Sequence, residues 1–245
     1  MAQTTVKLQQ NIGFEGTLVT DNFASIRGAL VPYYNKTGAL LPFGRAVQIT
    51  DGTASDVKPL DDEDATIVGI TLYNDFQQGF PLTDPDSQGY DNESLVSVLI
   101  KGAADVCVWS ENATTRNGEV WVRYATTDPV NKPLGRFRQG VFTGTITGIT
   151  RTLQVATATT SAAHDFSVGD QVTITGATET EYNGTFEITS VPTATTFTYV
   201  VTGTPATPAT GTITLDTADF VLWTDARFVV NTSKSGLTVL NIGGY

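Results

Sequence analysis

Residues 164–176 read HDFSVGDQVTITG, residues 181–191 read EYNGTFEITSV and residues 195–201 read TTFTYVV. In each segment apolar side chains alternate with polar ones, which is the period of a strand with one buried face. Turn-forming residues separate the segments, among them the pair Asn183-Gly184. The three segments therefore predict a small β-module, and a module of this kind more often presents a surface than catalyses a reaction.

The composition around these segments differs from that of the rest of the chain. Between residues 143 and 212 about a third of the residues are Thr, and Arg151 is the only basic residue. Two similar segments, GRF at residues 135–137 and ARF at residues 226–228, flank this region. We therefore predict that residues 143–212 form an inserted module whose two ends lie close together.

The remaining residues, 1–142 and 213–245, are predicted to form a discontinuous β base domain. Residues 119–124 show the pattern, because Val120 and Val122 fall on one face while Trp121 and Arg123 fall on the other. Turn signals recur about every 8 to 12 residues, the spacing of sandwiches and barrels. The fold class is therefore all-β, with a barrel or sandwich base and a smaller sandwich or barrel module. Residues 1–20 are expected to form an extended arm, and residues 74–93 a long loop.

The charge of the chain excludes some classes of partner. There are 25 acidic and 14 basic residues, a net charge of −11, and no run of Lys or Arg. Nucleic acid and anionic membranes are bound through clustered basic residues, so neither is a predicted partner. Charged residues make up only 16% of the chain, against about 25% in typical soluble domains. This composition fits either a surface covered by partners or a plain Thr-rich exterior.

No motif in the sequence predicts an enzyme, a cofactor site or a metal site. His164 is the only histidine, and it lacks the Cys or His spacing of a zinc site, so a structural role is expected. Cys107 lies in an apolar run and is expected to be a small buried side chain. The acidic run at residues 61–64 is expected to be a solvated loop rather than a cation site.

Two groups of residues are candidates for binding. Arg136, Arg138 and Arg227 flank the insert and could pair with carboxylates of a neighbouring subunit, or else with solvent or their own chain. Four aromatic residues of the module either build its core or form a face for sugars; they are Tyr182, Phe186, Phe197 and Tyr199.

A series of segments gives the chain a family resemblance. In chain order they are GRAV (44–47), VGI (68–70), VSVLIKG (96–102), NGEVWV (117–122), GRF (135–137), ARF (226–228) and GLTVL (236–240). Over most of residues 25–142 and 218–245 the chain resembles the capsid cement, or decoration, proteins of tailed bacteriophages. The segments FSVGDQVTITG and YNGTFEITSV resemble a small β-module that recurs in phage structural proteins.

The resemblance implies a structural virion protein. Such a protein is made in the host cytoplasm, sits on the outer capsid surface as a homotrimer, and clamps neighbouring major capsid subunits through its base domain. Two alternatives remain open at this point. One is a virion protein that binds a receptor or a host-surface glycan through the module, and the other is a different β-rich virion component, such as a tail-tube protein.

Overall fold

The computed structural model describes residues 15–18, 30–50, 55–73, 89–100, 102–126, 129, 132–142, 144–217 and 219–243. The described residues form strands and turns, with a single 3₁₀ turn at Thr180–Tyr182. The predicted all-β fold class is therefore confirmed. Most of the predicted arm and most of the predicted loop lie outside the described residues.

The first barrel closes five strands in the order β1-β4-β3-β5-β7. They are β1 (Leu30–Asn35), β3 (Ala46–Ile49), β4 (Asp56–Pro59), β5 (Ile67–Thr71) and β7 (Leu95–Leu99). A short pair, β2 (Leu41–Pro42) and β6 (Gly89–Tyr90), accompanies them. Ile49 lies opposite Val57 in the antiparallel β3–β4 pair. Gly69 allows β5 to approach β7, because a Cβ atom there would clash with the carbonyl oxygen of Leu99.

The second barrel has the order β10-β8-β19-β18-β9 and is built from two parts of the chain. Its strands are β8 (Gly102–Ser110), β9 (Glu119–Arg123), β10 (Phe137–Gln139), β18 (Phe220–Phe228) and β19 (Gly236–Ile242). The ladder between β8 and β19 places Cys107 opposite Val239, with Cys107 buried as expected. The chain leaves this barrel after β10 and returns to it at β18.

The two barrels share a hydrophobic core, called here the shared core, while a second buried cluster that includes Val47, Val57 and Val96 belongs to the first barrel alone. Its buried members are Ala46, Leu60, Ile70, Leu72, Leu99, Val106, Val108, Val120, Val122, Phe137, Trp223, Ala226, Phe228, Leu240 and Ile242. The first five come from residues 46–99, and the rest come from strands of the second barrel. Because both barrels contribute to the same core, the base is one packed unit rather than two linked ones.

Residues 15–18 are the part of the predicted arm that the structure describes, and they lie between the barrels. The amide of Gly16 donates to the carbonyl oxygen of Cys107 at 2.7 Å, and the amide of Tyr73 donates to the carbonyl oxygen of Gly16 at 3.0 Å. Glu15 forms a buried ion pair with Arg45 at 3.0 Å. This short segment therefore ties the first barrel to the second within one chain.

The module is a sandwich of two sheets. One sheet contains β11 (Ile146–Thr152), β12 (Val155–Thr160), β16 (Thr196–Val200) and β15 (Ser190–Thr193). The other contains β14 (Gly184–Glu187), β13 (Gln171–Ala177) and β17 (Gly211–Asp216). Buried side chains of both sheets, such as Ile149 and Ile174, enclose a separate core.

The boundaries of the module differ in detail from the sequence prediction. The segment at residues 181–191 divides into β14 and β15, which belong to opposite sheets. The predicted return to the base at residue 213 falls inside β17, where Ile213 and Leu215 are buried in the module core. Thr145 and Thr214 are bridge partners, so the two ends of the module lie side by side.

Candidate functional site

Arg136 and Arg138, two of the predicted interface residues, are buried within their own chain. The guanidinium of Arg136 lies 5.4 Å from the ring centroid of Trp109. Arg138 lies 5.1 Å from the ring centroid of Phe220, and its Nη2 donates to the carbonyl oxygen of Asp165 at 3.3 Å. Burial lowers the pKa of Arg138. Most of the surface of these two arginines is therefore covered by residues of their own chain.

Arg227, the third predicted interface residue, is half-buried on β18. Its Nη1 donates to the carbonyl oxygens of Thr224 and Ala226 at 3.0 and 2.6 Å. Both acceptors belong to its own strand, and part of the side chain remains exposed to solvent. A role for the three arginines at a subunit interface stays a prediction, and the exposure of Arg227 makes it the best placed of them.

A buried charge cluster that the sequence interpretation missed lies where the module meets the second barrel. Arg123, whose side chain is fully buried, binds three carboxylates. Its Nε and Nη2 contact Glu111 at 2.8 and 2.6 Å, its Nη1 contacts Asp219 at 2.8 Å, and its Nη2 contacts Asp170 at 3.1 Å. Lys132 binds Asp170 as well, at 2.5 Å. We call these five residues the Arg123 cluster.

The five members of the Arg123 cluster come from five segments, and Lys132 lies between β9 and β10. Glu111 follows β8, Arg123 ends β9, Asp170 precedes β13 of the module, and Asp219 precedes β18. The backbone reinforces the arrangement, because Asp170 accepts from the amide of Ser167 at 2.7 Å and Asp219 accepts from the amide of Gln171 at 2.9 Å. The cluster therefore joins module and base through side chains and main chain together.

The pKa shifts in the cluster follow from burial set against charge. Burial lowers the pKa of Arg123, but the hydrogen bonds and charge of Glu111, with Asp170 and Asp219, outweigh it and raise the pKa. Burial opposes ionisation of Asp170, yet Lys132 and Arg123 hold the pKa of that carboxyl below its ordinary value. For Asp219 burial prevails, and its pKa is raised.

The aromatic residues proposed as a sugar-binding face belong to the module core. Tyr182, Phe197 and Tyr199 are each fully buried, and Phe186 packs against the ring of Tyr199 at 4.5 Å. The core interpretation is confirmed, and a glycan-binding face made of these rings is wrong. Phe166 belongs to the same core and packs against Phe197, with 5.5 Å between the ring centroids.

His164 also serves the module core. It is buried, its ring stacks on that of Phe166 at 4.6 Å, and its Nδ1 accepts from the amide of Phe166 at 3.0 Å. Burial lowers its pKa. The structural role expected for this histidine is therefore confirmed by its position.

The acidic run at residues 61–64 is exposed, as expected of a solvated loop. Lys58 pairs with Asp61 at 2.8 Å, and Tyr124 donates to Glu63 at 2.7 Å. Among the residues that the structure describes, no group of three or more His, Cys, Asp and Glu side chains is placed to hold a metal ion. Nor does a helix in the described part of the chain have the length and apolarity to cross a membrane.

The end of the module far from the base carries exposed apolar side chains. β11 starts beside the bridge between Thr145 and Thr214, and its seven residues lead away from that bridge to the turn before β12. Leu153 in this turn is 82% exposed, while Val155 and Val200, which lie opposite each other, are 44% and 52% exposed. An apolar tip of this kind is available for contact with another protein.

The base and the module, joined by a buried ionic junction, make the described part of the chain an all-β protein with two cores. A family model described as structural cement protein (E217 gp24/Pam3 gp6) matches residues 2–165. That span is about two thirds of the chain, and the chain belongs to this bacteriophage family of structural capsid proteins. The matched residues include the first barrel, β8 to β10, and the first two module strands. No curated protein matches the chain.

Proposed function

We propose that this cement protein binds the outer capsid surface as a homotrimer and clamps neighbouring major capsid subunits together. Membership of the structural cement protein family is the observation that carries the proposal. A clamp needs a stiff body with area to share between its neighbours, and stable protein interfaces bury about 1,600 Å² in total. Two barrels around a shared core provide such a body.

The base is the better candidate than the module for contact with the capsid. The family match takes in the first barrel and three of the five strands of the second, whereas only β11 and β12 of the seven module strands lie within it. A function common to the family therefore falls more naturally on the base. In this proposal the module projects outward and presents its apolar tip to the surroundings of the particle.

The glycan-binding alternative has lost the residues that motivated it, because Tyr182, Phe197 and Tyr199 are buried. The exposed apolar side chains at the tip of the module favour a protein contact over a sugar. Family membership also argues against the tail-tube alternative.

The proposal is tested with capsids assembled from the major capsid protein alone. The purified chain is added, bound protein is separated by sedimentation, and the rupture temperature of the particles is measured. We expect saturable binding in multiples of three copies and a higher rupture temperature. A chain that stays monomeric and leaves the capsids unbound and equally fragile would contradict the proposal.

A further inference from the structure

Two short crossings connect the module to the second barrel. The first runs from the end of β10 to β11, and the second runs from the end of β17 to β18. The bridge between Thr145, at the end of the first crossing, and Thr214 of β17 holds the two attachment points of the module side by side. A body attached only by two adjacent segments can swing about them, so a fixed orientation needs a contact that belongs to neither crossing.

Residues 161–170 of the module supply that contact. Asp170 reaches Arg123 at 3.1 Å and Lys132 at 2.5 Å, both of which belong to the base. The carbonyl oxygen of Asp165 accepts from Arg138 at 3.3 Å. The segment that leads into β13 is therefore anchored at two arginines, and it is part of neither crossing.

We propose that the Arg123 cluster is a joint that locks the module in one orientation on the second barrel. The inference concerns the chain itself and does not depend on capsid binding. If the proposed function also holds, every copy on a particle presents its apolar tip at the same angle to the surface.

Buried charges suit this task because they tolerate few arrangements. Arg123 contacts three carboxylates, and a rotation of the module would withdraw Asp170 from both of its cationic partners. The remaining groups would then be left buried and incompletely paired, which is costly. A purely apolar contact could slide, whereas the ion pairs of this one form only when Asp170 lies between Arg123 and Lys132.

Phe220, at the end of the second crossing, packs against the same two arginines that anchor residues 161–170. Its ring is buried, and it faces two guanidiniums, with Arg123 at 4.3 Å and Arg138 at 5.1 Å from the centroid. Phe220 follows Asp219 directly, so the returning chain is held by an ion pair and by cation–π contacts at adjacent residues. The joint thus fixes the crossing and the module loop against the same two arginines.

A pair of spin labels measures the orientation of the module directly. One label is attached at Gln154→Cys on the exposed tip of the module, and the other at Glu119→Cys on the exposed side of β9. Cys107 is buried, so it does not compete for the label. We expect one narrow distance distribution in otherwise unchanged protein. Asp170→Asn and, separately, Arg123→Met should broaden it about twofold or more, because other orientations become populated.

Two controls separate a loosened joint from a damaged fold. Glu187→Gln removes a carboxylate from the exposed surface of the module without touching the cluster, and should leave the distribution narrow. Labels at Gln154→Cys and Thr185→Cys report on the module alone, and their distance should stay narrow in Asp170→Asn. Unchanged distributions in both cluster variants would overturn the proposal. So would broadening within the module, since Asp170 would then support the module fold rather than the joint.

Discussion

Replacement of Leu60 by Ala tests whether the two barrels unfold as one unit. Leu60 follows β4 of the first barrel and is fully buried in the shared core with Val122 and Phe228 of the second. The change removes three carbon atoms, worth about 2.4 kcal/mol at about 0.8 kcal/mol each. The cavity left behind adds to this loss, so we expect the free energy of unfolding to fall by about 3 to 4 kcal/mol.

Differential scanning calorimetry checks this expectation. For a unit of this size, a loss of about 3 kcal/mol lowers the transition temperature by about 6 to 12 °C. The base should keep a single transition at the lower temperature, and the transition of the module, which has its own core, should not move. If Leu60→Ala instead split the base into two transitions, of which only one had shifted, the shared core would not couple the barrels.

Two further leucines serve as matched controls for Leu60. Leu153→Ala changes the same side chain where it is 82% exposed, and the expected effect on stability is below about 0.5 kcal/mol. Leu215→Ala removes a buried side chain from the module core and should lower the transition of the module alone. A base transition that moved with Leu215→Ala would show that the two cores are not separate.

The other predictions concern single side chains. Because the pKa of Asp170 is lowered, its ion pairs stabilise the fold above about pH 4 and are lost as the pH falls below that value. The difference in unfolding free energy between the natural protein and Asp170→Asn, measured by urea titration, should therefore shrink from pH 6 toward about pH 3, and a constant difference would contradict this. The pKa of Asp219 is raised, so its ionisation lowers the stability of the fold as the pH rises. Asp219 is present in both proteins, so this contribution enters both measured values. Tyr182→Phe should lower the thermal stability of the module by about 1 kcal/mol, because its hydroxyl donates to the carbonyl oxygen of Ala206 at 3.0 Å. Tyr199→Phe removes a buried hydroxyl that has no hydrogen-bond partner within the described part of the chain, so stability should stay equal or rise, and a loss equal to that of Tyr182→Phe would refute the comparison. Arg227→Gln should weaken capsid binding about tenfold without changing the transition temperature, and an unchanged Kd would remove Arg227 from the interface.

Local alternation predicted the strands whose faces differ clearly in polarity. Val120 and Val122 of β9 are buried on the face that the pattern assigned to the core. Phe197 and Tyr199 of β16 are buried side chains of the module, as the core interpretation required. These positions follow from the two-residue period of a strand, which the sequence records directly.

The same alternation could not predict the burial of Arg123. The pattern places Arg123 on the face of β9 opposite Val120 and Val122, and the module brings Asp170 to this side chain. A local pattern says which way a side chain points and nothing about which distant segment packs there. The sequence contains only a weak signal for this ion pair, namely one arginine at the end of a strand and one Asp that follows a glycine in another segment.

Alternation does not predict a strand whose buried and exposed side chains differ little in hydrophobicity. Ala156 and Ala158 are fully buried in β12, yet two alanines among threonines give little hydrophobic signal. The Thr-rich composition ends near residue 212, inside β17, so a boundary drawn from composition places Ile213 and Leu215 in the base although both are buried in the module core. The closure of two barrels depends on long-range pairing, such as that of β8 with β19, which no local window contains.

A cryo-EM map of capsids decorated with this chain shows directly whether the base clamps capsid subunits. We expect three copies around a shared axis, with both barrels seated across the boundary between neighbouring major capsid subunits and residues 144–217 projecting outward as a well-resolved module. A map in which the module contacts the capsid while the barrels face the solvent, or in which single copies each lie within one capsid subunit, would contradict it.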